Sequence, residues 1–97
     1  MGYTIRYTTE AIDDLRKLTT FEVRNTGESK GVDYLRTMLE NLVDNPNIGT
    51  QYQESFGIRQ IHVPCGRSGY SVLYKVHDII EIVGILRIKH QRESNYS

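Results

Sequence analysis

The stretch GIRQIHVPCGRSGYSVLYKVHDIIEIVGILRIKHQR, from Gly57 to Arg92, decides how this 97-residue chain folds. It reads as three consecutive strands joined by two short turns. Arg59, Ile61 and Val63 alternate with Ile58, Gln60 and His62, which is the two-residue period of a strand with two unlike faces. Pro64-Cys65-Gly66-Arg67-Ser68-Gly69 supplies turn chemistry. Tyr70, Val72, Tyr74 and Val76 then share one strand face, and Ser71, Leu73, Lys75 and His77 share the other. His77-Asp78 is expected to reverse the chain tightly. Ile79 to Ile88 is apolar on both faces apart from Glu81 and Arg87, as befits a strand in the middle of a covered sheet.

Working back from this meander, Ile48 to Phe56 is a polar connection with no period. Before it, Val32, Leu35, Leu39 and Leu42 recur at three and four residues, the spacing of an amphipathic helix. Ser29 is placed to cap that helix, and Asn45-Pro46-Asn47 ends it, because proline cannot continue the ladder. An earlier helix starts at Thr8 or Thr9, carries Glu10, Asp13 and Asp14 near its positive end, and stops at Asn25-Thr26-Gly27. Ala11, Leu15, Leu18 and Glu22 mark its inner face, with Ile12 beside it. Tyr3 to Tyr7 is a short β-prone opening. The expected order is β-α-α-β-β-β: an α+β fold with a helical hairpin on a small, mainly antiparallel, four-stranded sheet.

The length suits one domain over residues 1–97, with a loose polar tail at 93–97. There is no apolar leader and no run long enough to cross a bilayer, so a cytoplasmic protein is expected. Cys65 is the only cysteine, which excludes an internal disulfide. No metal or other cofactor is expected, since His62, His77 and His90 lack metal-ligand spacing. Net charge is zero but unevenly spread. Residues 1–56 hold six basic and nine acidic side chains, and residues 57–97 hold six basic and three acidic. Nucleic-acid binders usually carry a strong basic excess. This chain has none overall, though a local basic patch on the sheet stays open.

Several residues are candidates for chemistry. His90-Gln91-Arg92 follows the last strand, where a base and an anion clamp could sit; the plainer reading is solvated strand-end residues. Arg59, Arg67 and Arg87, with Lys75 and Lys89, either line one surface or are scattered charges. Tyr70 and Tyr74 read as packing rather than base-stacking residues. Glu54, Glu81 and Glu93 have no spacing that suggests paired acid–base work. A helical hairpin over a sheet also leaves a groove or free edge that a partner peptide can fill.

The ordered set of motifs resembles the RelE/ParE superfamily of bacterial toxins from type II toxin–antitoxin modules. These motifs are Tyr3-x-Ile5, Ala11-x-x-Asp14-Leu15, Leu39-x-x-Leu42-x-x-Asn45-Pro46-x-x-Gly49, Gly57-Ile58-Arg59, Gly69 to Val76 and Ile85 to Arg92. The resemblance implies growth arrest by the free toxin and a hetero-oligomer with a cognate antitoxin, with a toxin dimer left open. RelE-like members cut mRNA on the ribosome; ParE-like members poison DNA gyrase and are not themselves catalysts. The long hairpin and the His90-Gln91-Arg92 ending resemble the ParE-like branch. Gln51 to Phe56 lacks the lysine and arginine cluster of RelE-like members. The expected target is therefore gyrase, bound through Arg59, Arg67, Arg87, His90 and Arg92. If the chain is instead a ribonuclease, Arg59, Arg67, His90 and Tyr96 are its candidates. A third reading is an inactive toxin fold that only binds antitoxin. The arginines and His90 are expected to matter more to activity than to stability.

Overall fold

The computed structural model describes residues 2–52, 57–65 and 68–90. Strand β1, Thr4–Tyr7, opens the fold. Thr8 follows in extended backbone, and its hydroxyl accepts the Ala11 N–H at 3.1 Å. That satisfies one of the unpaired amides of the first turn of helix α1, Thr9–Thr26. The helix closes on Gly27, at φ 77°, whose N–H returns to the Val23 carbonyl. Only glycine enters that left-handed region without steric cost.

Helix α2, Lys30–Leu39, runs on into a 3-10 turn, Glu40–Val43. Val32, Leu35, Leu39 and Leu42 are all buried, as their spacing requires. Ala11 is buried beside them, and Leu15 and Leu18 pack against the same core. Each fully buried leucine contributes about 2 kcal/mol of transfer free energy.

The remaining elements are β2 Thr50–Gln51, β3 Ile58–Cys65, β4 Ser68–His77 and β5 Ile82–His90. They form one sheet in the order β1-β5-β4-β3-β2. β1 is parallel to β5, and every other pairing is antiparallel. The α+β class is as the sequence implied, but the sheet has five strands rather than four. The extra one, β2, lies in the connection that showed no period. Two exposed polar residues cannot show a period; backbone pairing of Thr50 with Gln60 and Gln51 with Arg59 makes the strand.

A second correction concerns Ile79 and Ile80. They do not open β5 but form the tip of the β4–β5 turn, 99% and 63% exposed. The third lies in the register. Leu73 pairs with Arg87 and Tyr74 with Ile85, so Leu86 is the extra residue of a bulge. The bulge reverses the parity of β5. Ile85 and Ile88, three residues apart, both reach the core, and Arg87 takes the opposite face.

The helices pack on the face bearing Val63, Tyr70, Val72, Tyr74, Val83, Ile85 and Ile88. Beyond the end of β1, side chains complete the edge of β5. The Thr8 hydroxyl donates to the Leu86 carbonyl at 2.9 Å, and Asp14 Oδ2 accepts the Ile88 N–H at 2.9 Å.

Candidate functional site

Arg59 lies early in β3, opposite Tyr74. Its guanidinium donates to the Gly49 carbonyl at 2.7 Å and, more weakly, to the Asn47 carbonyl at 3.4 Å. The Tyr74 hydroxyl accepts the Gly49 N–H at 2.8 Å. The two side chains thus hold both backbone groups of Gly49 as the chain enters β2. A β-carbon on Gly49 would stand 2.6 Å from the Tyr74 hydroxyl and 2.7 Å from the Gln60 carbonyl oxygen, which is why this position is glycine. Tyr74 is completely buried. Burial raises its pKa, opposed by the Gly49 N–H and the Arg59 charge.

Arg87 leaves the open face of the sheet and grips helix α1. Its Nε donates to Asp14 Oδ2 at 2.9 Å, and a second nitrogen donates to Oδ1 at 3.3 Å. Asp14 Oδ2 also takes the Ile88 N–H. This forked, part-buried pair ties α1 to β5. Neither arginine is therefore only a surface cation, since each also ties parts of the fold together.

His90 ends β5 and meets Tyr70 edge-to-face, with ring centroids 5.7 Å apart. Both line a cavity of about 160 Å³ with Leu18 and Phe21 of α1 and Gly31 of α2. Cys65, a half-buried free thiol, lies on its wall. Glu22 also lines this cavity. Its carboxylate accepts the Gly31 N–H at 2.6 Å and the Val32 N–H at 2.9 Å. Glu22 thus does the capping expected of Ser29, whose hydroxyl donates instead to Asp33. Burial raises the Tyr70 pKa, with the Glu22 charge and Cys65 adding to it.

Of the expected site residues, the structure describes Arg59, Arg87 and His90, and it does not bring these three together. Arg59 and His90 lie opposite Tyr74 and Tyr70, so they are separated by about 13 Å along β4. Arg87 belongs to the other face. Arg67, Arg92 and Tyr96 lie outside the described residues. Among the described residues, no group of three His, Cys, Asp or Glu side chains is placed to hold a metal ion. The helix-free face presents Arg6, Lys75 and Lys89 with His62 and His77, and the register places no carboxylate on it among the described strand residues. That is the basic patch left open by the sequence. Asp14, Glu22 and the Ile79-Ile80 tip were missed as organising residues. An acid on the apolar stripe of α1, Glu22, was the legible signal; Asp14 showed helix-dipole preference and a place in the Ala11-x-x-Asp14-Leu15 motif, neither of which tells of its partners in β5.

The sequence profile described as the ParE toxin of type II toxin–antitoxin system, parDE, matches residues 5–95. The chain belongs to this family, within the RelE/ParE superfamily of toxins. A search of curated proteins finds no match. Solved structures agree with the fold. The isolated E. coli RelE toxin is 20% identical, with a TM-score of 0.72 over 97% of this chain and 89% of that one. A chain of the chromosomal ParDE system from P. aeruginosa is 23% identical, with a TM-score of 0.71 over 92% and 96%. A chain of the RelBE2 toxin–antitoxin complex from Mycobacterium tuberculosis is 28% identical, with a TM-score of 0.58 over 93% and 99%. The RelE and ParDE likenesses are equally close in shape, so shape does not choose between the two kinds of target. No helix among the described residues is long and apolar enough to cross a membrane.

Proposed function

We propose that this ParE-family toxin arrests growth by binding a protein, DNA gyrase, in the cytoplasm, and that a cognate antitoxin neutralises it. The observation that carries this reading is the state of two of the expected site arginines, Arg59 and Arg87. A ribonuclease built on this sheet needs cations converging on a phosphate. Arg59 is instead bonded to the 47–49 backbone and Arg87 to Asp14, on opposite faces of the sheet. Complexes of relatives with antitoxins, such as the M. tuberculosis RelBE2 complex, support the antitoxin partner. In this reading His90, with Arg67 and Arg92, contacts the target, while Arg59 and Arg87 shape the surface that does so.

A second reading has its own observation. The helix-free face with Arg6, Lys75 and Lys89 suits a phosphate backbone, which favours ribosome-dependent mRNA cleavage. Pulse labelling a few minutes after induction without antitoxin separates the two. DNA synthesis falling first, with purified gyrase inhibited by the purified toxin, supports gyrase. Protein synthesis falling first sinks it in favour of the ribosome. Neither falling leaves an inactive toxin fold that only binds antitoxin.

A further inference from the structure

We infer that the β4–β5 turn tip, Asp78-Ile79-Ile80-Glu81, is a rigid docking knob for a folded protein whose apolar socket is rimmed by lysine or arginine. The inference rests on the reading that the target is a protein, and it adds to that contact a second surface, at the end of the β4–β5 pair opposite His90. Three local departures from turn chemistry coincide here. Ile79 is 99% exposed and Ile80 63% exposed, so neither contributes to the core. Both occupy the centre of a turn closed by Glu81 N–H to the Asp78 carbonyl at 3.3 Å, where glycine, asparagine or proline is usual. Glu81 itself stands at φ 54°, the only non-glycine residue at positive φ among the described residues. Local rules broken together at one place are the mark of a functional constraint.

The tip is braced rather than loose. The Tyr3 hydroxyl donates to Asp78 Oδ1 at 2.8 Å, and the Thr4 N–H donates to the Glu81 carbonyl at 2.9 Å. The Asp78 hydrogen bond, with burial and the nearby Asp78 and Glu81 charges, raises the Tyr3 pKa. A pre-ordered anchor loses little entropy on docking. Its form selects the occupant. Two carboxylates flank the isoleucines, which repels a phosphate backbone and an anionic lipid surface alike. A convex apolar knob needs a preformed concavity, which a folded partner offers. In a second copy of this chain, the cavity by His90 is lined, among the described residues, by Glu22 and by no lysine or arginine, which sets a carboxylate against the carboxylates of the tip.

The test is binding of purified gyrase holoenzyme to the immobilised toxin, with wild type, an Ile79→Ser/Ile80→Ser double variant and Glu81→Lys. The double variant should melt within about 2 °C of wild type, since the side chains are exposed, and should bind gyrase at least tenfold more weakly. Glu81→Lys should weaken binding about fivefold at low salt and less at high salt. Wild-type binding matched by equal binding of the double variant overturns the knob while leaving gyrase as target. Wild type that does not bind gyrase overturns the target reading, and the knob with it. A double variant that changes only the self-association of the toxin assigns the tip to a second copy and also overturns the proposal.

Discussion

Arg59 has two possible fates under mutation, and its hydrogen bonds decide between them. A charged donor on a part-buried carbonyl is worth about 1.5–3 kcal/mol. Arg59→Ala should therefore lower stability by about 1–2 kcal/mol, since solvent reaches the group. At about 4–8 °C per kcal/mol for a domain of this size, the melting temperature should fall clearly, by thermal circular dichroism. An unchanged melt would return Arg59 to the role of a surface cation. Tyr74→Phe removes the acceptor of the Gly49 N–H at a buried site and should cost about 1–2 kcal/mol by urea titration. Gly49→Ala should be worse, because the new methyl meets the Tyr74 hydroxyl and the Gln60 backbone together.

At the scale of elements, two carboxylates on α1 do work that lies outside their own helix. Glu22 caps α2, and Asp14 completes the edge of β5 while holding Arg87. Glu22→Ala should destabilise by about 1 kcal/mol, the usual value of a lost cap. Its signature is faster hydrogen exchange at the Gly31 and Val32 amides than elsewhere in α2. Asp14→Ala should cost about 2–3 kcal/mol, because it removes the acceptor of the Ile88 N–H and an ion-pair partner of Arg87 at a part-buried site. Arg87→Ala should cost less, since Asp14 keeps the Ile88 N–H. If the two substitutions prove equal in denaturant titrations, the edge bond contributes nothing measurable.

At the scale of the whole molecule, four tyrosines among the described residues bear on stability at alkaline pH. Tyr7, Tyr70 and Tyr74 have pKa values raised by burial, and Tyr3 by its bond to Asp78. The unfolded chain releases these protons near pH 10. A phenol whose folded pKa is higher contributes stability that is complete below that pH and is lost as pH rises through the folded value. Melting temperature should thus be flat from about pH 8 to 9.5 and fall above 10. Tyr70→Phe and Tyr74→Phe should each shallow the fall. A melting temperature level to pH 11 would show that these phenols ionise as easily folded as unfolded.

The sequence by itself determined the element order apart from β2, and the core stripe. Those features repeat at helical or strand period, and the Val32–Leu42 spacing and the Tyr70–Val76 alternation need no knowledge of the partner they bury against. It also narrowed the caps of α1 to Thr8 or Thr9 and to the Asn25-Thr26-Gly27 stop, which are local, and the structure uses Thr8 and Gly27. What it missed depends on contacts remote in sequence. Strand β2 exists because its backbone meets β3, the bulge at Leu86 reverses parity without changing composition, and Glu22 replaces Ser29 because α1 lies across the start of α2. Two isoleucines beside a strand look like strand, since hydrophobicity carries no sign of exposure. Only the turn geometry put them in solvent. The arginines followed the same rule: their charge was legible, but their partners, Gly49 and Asp14, are ten and 73 residues away. Tertiary folding alone decided that those charges hold the molecule together.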